Sequence, residues 1–109
     1  MNINNKKIKQ ILNIDGITDI KITDANTVKI KMADKSIKRV TSDVFSGKDE
    51  YLEFIDSILL DVDYIKNFPA VKFTEKYDPE YNIKTSVFWV AGDQPVLHMK
   101  KLKSAYIYN

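Results

Sequence analysis

From Asp19 to Met32 the chain alternates apolar and polar residues with a period of two. Ile20 and Ile22 are set among Asp19, Lys21 and Thr23, and Val28, Ile30 and Met32 among Lys29, Lys31 and Ala33. Successive side chains of a strand point to opposite sides, so each stretch builds one apolar and one polar face. Asp24-Ala25-Asn26 is a polar turn between them, and its length keeps the parity that pairs Ile22 with Val28 and Ile20 with Ile30. A hairpin with one wet face must bury the other against a second layer.

Two stretches can supply that layer. Between Asn4 and Asn13, Ile8, Ile11 and Leu12 recur at helical spacing, and Gly16 stands where the chain leaves a helix through a left-handed residue. Further on, Tyr51, Leu52, Ile55, Ile58, Leu59, Val62 and Ile65 predict a second helix. Ser46 to Asp49 resembles a capping box at its start, and Asn67 and Pro69 end it, because proline cannot continue a hydrogen-bonded turn.

The turn at Asp34-Lys35 leads to Ile37 and Val40, whose opposite parity predicts a bulge near Lys38 and Arg39. The rest is rich in strands: Val71 to Tyr77, Ile83 to Val90, Val96 to Leu102, and a fourth over Ala105 to Tyr108. Asp78-Pro79 and Gly92-Asp93 mark the breaks. Val87-Phe88-Trp89-Val90 is apolar at both parities and reads as a central strand covered on both faces, in preference to an edge engaged by a partner. The expected class is α+β, one domain over residues 1–109, in the order α-β-β-(β)-α-β-β-β, with two helices on one face of an antiparallel sheet. At 109 residues and 44% hydrophobic content, a single core is the natural size.

Several kinds of chemistry lack their residues. The chain has no cysteine, which removes disulfides and thiolate metal sites and fits a reducing compartment such as the cytoplasm. MNINNKKIKQ runs into charges where a secretory signal needs an apolar core, and no run reaches the ~18 apolar residues of a membrane helix. His98 is the only histidine, so no multi-histidine metal site can form. Its place between Leu97 and Met99 predicts an exposed strand residue. Asp61 and Asp63 point to different sides of a helix, and Asp49 with Glu53 sits on an ordinary solvated face. Ser46-Gly47-Lys48-Asp49 lacks the upstream glycine and the hydroxyl of a phosphate loop. Neither an enzyme nor a cofactor is expected.

What remains is lysine. The formal charge is only +2 and Arg39 is the single arginine, which disfavours reading of base edges by the arginine fork. In the hairpin register, however, Lys21, Lys29, Lys31 and Lys38 share the outward face, with Lys21 directly opposite Lys29. Like charges in that position are mildly destabilising. They fit either an anion-binding sheet face or a solvated one that Asp19 also feeds. Lys100, Lys101 and Lys103 precede Tyr106 and Tyr108, a mixture suited to single-stranded nucleic acid by charge and stacking, or to a lysine-protected edge.

Taken together, Ile17-Thr18-Asp19-Ile20, the stretch Phe45 through Ile58 and Pro95-Val96-Leu97-His98-Met99-Lys100-Lys101 resemble the N-terminal domain of type II/IV secretion ATPases, over about residues 14–102. Lys100 stands where that family has an arginine, and Trp89-Val90 where it has two prolines. The resemblance implies an assembly domain of a secretion or conjugation motor whose engine is not in this chain, with a protein partner (itself or a motor component) and Lys100 and Lys101 as contacts to phosphate or partner. The alternative is a phage or mobile-element protein that regulates or inhibits by binding nucleic acid or an acidic protein through its lysine face.

Overall fold

The structure, a computed structural model, describes residues 5–40, 44–59, 64–68 and 71–102. The chain opens with helix α1 (Lys6–Leu12), whose cap is Asn5: its Oδ1 accepts a 3.0 Å hydrogen bond from the Ile8 amide. The same side chain donates to the Val44 carbonyl at 3.0 Å, tying the start of α1 to the segment that leads into the second helix. Gly16, at φ +83°, turns the chain into β1 (Ile17–Asp24), a conformation that would strain a residue with a Cβ. There follow β2 (Thr27–Met32), β3 (Ile37–Val40), helix α2 (Lys48–Leu59), β4 (Tyr64–Phe68), β5 (Val71–Asp78), β6 (Ile83–Val90) and β7 (Val96–Lys101).

All seven strands join one antiparallel sheet in the order β3-β2-β1-β7-β6-β5-β4. The expected pairs Ile22 with Val28, Ile20 with Ile30 and Lys21 with Lys29 are all formed. The class is α+β, and one face of the sheet carries the core. Ile20, Ile22, Val28, Ile30, Ile83, Val87, Leu97 and Met99 are buried on it under Ile8, Ile11 and Leu12 of α1 and Tyr51, Phe54, Ile55 and Ile58 of α2. The spacing of the α2 set, at i, i+3, i+4 and i+7, puts all four on one side of the helix.

Tyr51 locks the layers together. It is fully buried, its ring meets Phe45 edge to face at 5.2 Å, and its hydroxyl donates to the Pro95 carbonyl with that of Ile22 3.3 Å away. Burial, with the charge of Asp24 adding to it, raises the pKa of this phenol well above its ordinary value, so it stays a donor at any physiological pH. No helix among the described residues is long and apolar enough to cross a membrane.

Four expectations require correction. The second helix, described from Lys48 to Leu59, does not run to Ile65, and Val62 lies outside the described residues; Tyr64–Phe68 is instead the edge strand β4, paired with β5 from Tyr64 opposite Glu75 to Phe68 opposite Val71. The 3.6-residue spacing of Ile58, Val62 and Ile65 is equally compatible with a helix that ends and a strand that follows, and pairing with β5 decides between them. Capping at the start of α2 uses Glu50, which accepts from the Ser46 amide and hydroxyl while the first helical bond runs from the Tyr51 amide to Gly47; Asp49 takes no part. These two hydrogen bonds, outweighing a slight desolvation, hold the Glu50 carboxyl below its ordinary pKa.

Third, β3 has no bulge, and its register with β2 is unbroken from Val40 opposite Val28 to Ile37 opposite Lys31. A regular strand satisfies the backbone ladder and leaves Ile37 67% exposed; Lys38, opposite buried Ile30, therefore lies on the helix-side face and not with Lys21, Lys29 and Lys31. Fourth, β6 is internal as expected, but among the described residues only one of its faces is covered, and Phe88 is 44% exposed. The expected strand at Ala105–Tyr108, with Lys103, Tyr106 and Tyr108, lies outside the described residues.

Candidate anion-binding sheet face

The side of the sheet away from the helices is organised in rows that cross the strands. Cross-strand partners place Arg39, Lys29, Lys21, His98, Ser86 and Glu75 in one row, from β3 to β5. The neighbouring row reads Ile37, Lys31, Asp19, Lys100, Lys84 and Tyr77. Rows on one face are separated by two residues of strand, about 7 Å, and strands by about 4.8 Å. Lysines far apart in sequence thus become near neighbours.

The pairing of β1 with β7 does the assembling. It sets Lys100 opposite Asp19 and His98 opposite Lys21, so the hairpin cluster and the Lys100 cluster, two separate surfaces in the sequence, form one. Lys21, Lys29 and Lys31 are on this face and exposed, as is Lys100. Lys101, one residue on, is half-buried opposite Ile83 and belongs to the other side. Lys38 is excluded as described above. Arg39 and Lys84 occupy positions on the face that sequence reasoning did not assign. The parity of β6, with Ile83, Thr85 and Val87 inward, was the available signal for Lys84; for Arg39 the expected bulge obscured it.

Among the described side chains, six basic ones stand on the face (Lys21, Lys29, Lys31, Arg39, Lys84 and Lys100) against the acidic Asp19 and Glu75. Since the whole chain carries only +2, the charge is polarised and the remainder is on balance acidic. Glu75 is engaged by Lys84 at 2.5 Å. Asp19 is engaged by His98, whose Nε2 lies 2.7 Å from Oδ2. Lys21, Lys29, Arg39 and Lys100 form no ion pair among the described residues.

The His98–Asp19 contact sits in a shallow depression of about 270 Å³ bordered by Lys21, Lys29, Lys31 and Ile37. Partial burial raises the Asp19 pKa, but hydrogen bonds from His98 and Thr18 and the charges of His98 and Lys31 outweigh it, leaving the carboxyl below its ordinary value. A depressed folded-state pKa stabilises the fold above the unfolded value of 3.8 and ceases to do so as pH falls through the folded value. The stability difference between the native chain and Asp19→Asn is therefore expected to be full at pH 7 and to shrink below pH 3.8. Urea unfolding at both pH values checks this, and a difference independent of pH would refute it.

No protein-family model matches the chain, and no curated protein matches it. The chemistry of the site has to be read from its side chains. Ser86 faces His98 across β6 and β7, and with Asp19 these are the residue types of a nucleophilic triad. No hydrogen bond joins Ser86 to His98, however, and the base-to-nucleophile contact is what such a triad requires. No group of three or more His, Cys, Asp or Glu side chains suited to a metal is present among the described residues. The arrangement offers fixed positive charge on a sheet face that neither described helix covers. A second hollow, of about 500 Å³, opens between the starts of α1 and α2, where Glu50 offsets one of the two lysines Lys6 and Lys7.

Proposed function

We propose that this chain is a binding domain without chemistry of its own, which engages a polyanionic partner through the outer face of its sheet. The observation that carries this is the junction of β1 with β7, which merges the lysines of the hairpin with Lys100 on the face opposite the described helices. Lys21 opposite Lys29 costs the free protein a little stability. A partner that brings negative charge would relieve this.

Retention on immobilised heparin tests the proposal. Binding to a polyanion is expected to weaken steeply as salt rises, because each neutralised charge releases a counterion. The Lys21→Ala/Lys29→Ala double variant is expected to elute earlier. Lys100→Ala should act in the same direction and Lys101→Ala should not, since the two residues lie on opposite faces. Elution independent of salt would overturn the proposal.

One observation favours a second reading, that of an assembly domain of a secretion or conjugation motor. The first and last stretches that carry the resemblance, Ile17–Ile20 and Pro95–Lys101, are far apart in sequence and lie side by side, as Asp19 opposite Lys100 and Ile20 opposite Met99. Ring formation by the chain in multi-angle light scattering, or its co-purification with a motor ATPase, would support this reading.

A further inference from the structure

Charge is only part of the outer face. One row beyond His98 and Ser86 stand Val96 on β7, Phe88 on β6 and Phe73 on β5, in direct register with one another. Phe88, at 44% exposure, presents a phenyl ring to solvent beside the basic row. At the other margin Tyr77, 42% exposed, lies directly opposite Lys84. Exposed aromatic rings set among lysines on an open sheet are the two components that single-stranded nucleic acid needs: cations for the phosphates and π-faces for the bases.

We infer that the polyanion taken by this face is single-stranded nucleic acid, laid across the strands with its backbone over Lys29, Lys21 and Lys100 and a base stacked on Phe88. The inference rests on the polyanion reading above and narrows it. Three features favour this ligand over others. A face six strands wide spans about 24 Å, twice the ~12 Å of a DNA major groove, so the sheet cannot enter a duplex and read it. Five of the six cations are lysines, point charges suited to phosphate, whereas the arginine fork that grips a carboxylate in two places is present only once, at the edge strand. Every nucleobase also supplies a π-face for the Phe88 ring, whatever the sequence. With a single arginine and no fork near the ring, binding should be tolerant of sequence.

The test is fluorescence anisotropy with three probes: a labelled oligothymidylate of about 12 nucleotides, within the site size of single-strand binding folds, the matching duplex, and a polyglutamate peptide of similar charge. The single strand is expected to bind most tightly. Phe88→Ala should weaken it by about tenfold, the lower half of the range for removal of a base stack, while heparin retention stays as in the native chain. Phe88→Tyr, which keeps the ring, should restore the affinity. The inference is overturned if the duplex or polyglutamate binds as tightly as the single strand, or if Phe88→Ala leaves the single-strand affinity unchanged. In those cases salt-dependent heparin binding would still uphold the broader reading, and loss of binding to every polyanion would remove both. Thermal unfolding of Phe88→Ala checks that the fold is kept.

Discussion

Tyr51→Ala is expected to destabilise the domain by about 3–5 kcal/mol, the range for removing a large buried ring. Small domains are stable by only about 5–15 kcal/mol, so the variant should sit close to the unfolding threshold. The ring is fully buried, stacks edge to face on Phe45, which in turn packs on Phe54 at 5.5 Å, and therefore holds the aromatic centre of α2 against the sheet. Tyr51→Phe separates the two parts of the effect. It keeps the ring and deletes only the hydroxyl that links α2 to the Pro95 and Ile22 carbonyls, at an expected cost of about 1–3 kcal/mol. Urea midpoints measured at constant m-value check both. A Phe variant as damaged as the Ala variant would show that the hydroxyl, and not the packing, dominates.

That hydroxyl also shows which parts of the fold a sequence can and cannot disclose. The periodicity of Tyr51, Ile55 and Ile58 marks a buried helical face, but nothing local to Tyr51 indicates that its oxygen ends at Pro95, 44 residues on. The hairpin of β1 and β2 is legible because alternation, turn length and register are all contained within about a dozen residues. Strand β4 is not, since Tyr64–Phe68 forms by pairing with β5 and its apolar residues also fit a helical period. The exposed Ile37 misleads in a related way. The rule that an isoleucine should be inward predicts a bulge, whereas the ladder with β2 is kept regular and the apolar side chain is left at an exposed edge.

The candidate site follows the same division. Its hairpin half, Lys21, Lys29 and Lys31, is readable from parity alone. Its other half depends on which strand becomes the neighbour of β1, a choice made by burial of Leu97 and Met99 beside Ile22 and Ile20. Once that choice is made, Lys100 joins the face and Lys101 leaves it by the alternation of β7. His98 is likewise an exposed-strand residue by its neighbours, and only the β1–β7 register brings it within 2.7 Å of Asp19.

Reversing the charge at Lys21 and Lys29 together is expected to abolish polyanion binding at physiological salt. Every phosphate that is no longer neutralised lowers the salt slope by about 0.7 for a single strand, and two glutamates at the centre of the row replace attraction with repulsion. The single variant Lys21→Glu is more discriminating because stability and binding should move in opposite directions. It converts the like-charged pair with Lys29 into an opposite-charged one, a change worth about 0.2–1 kcal/mol in favour of the fold. At the same time it should weaken heparin and oligonucleotide binding by on the order of tenfold. If the lysine face is merely solvated, Lys21→Glu gains the stability and binding is unaffected. Lys38→Glu is the matched control: it makes the same change of charge on β3, two strands away, but opposite Ile30 on the helix side of the sheet, and should leave binding as it was. A binding loss at Lys38 equal to that at Lys21 would mean that net charge alone, and not the face assembled by β1 and β7, attracts the partner.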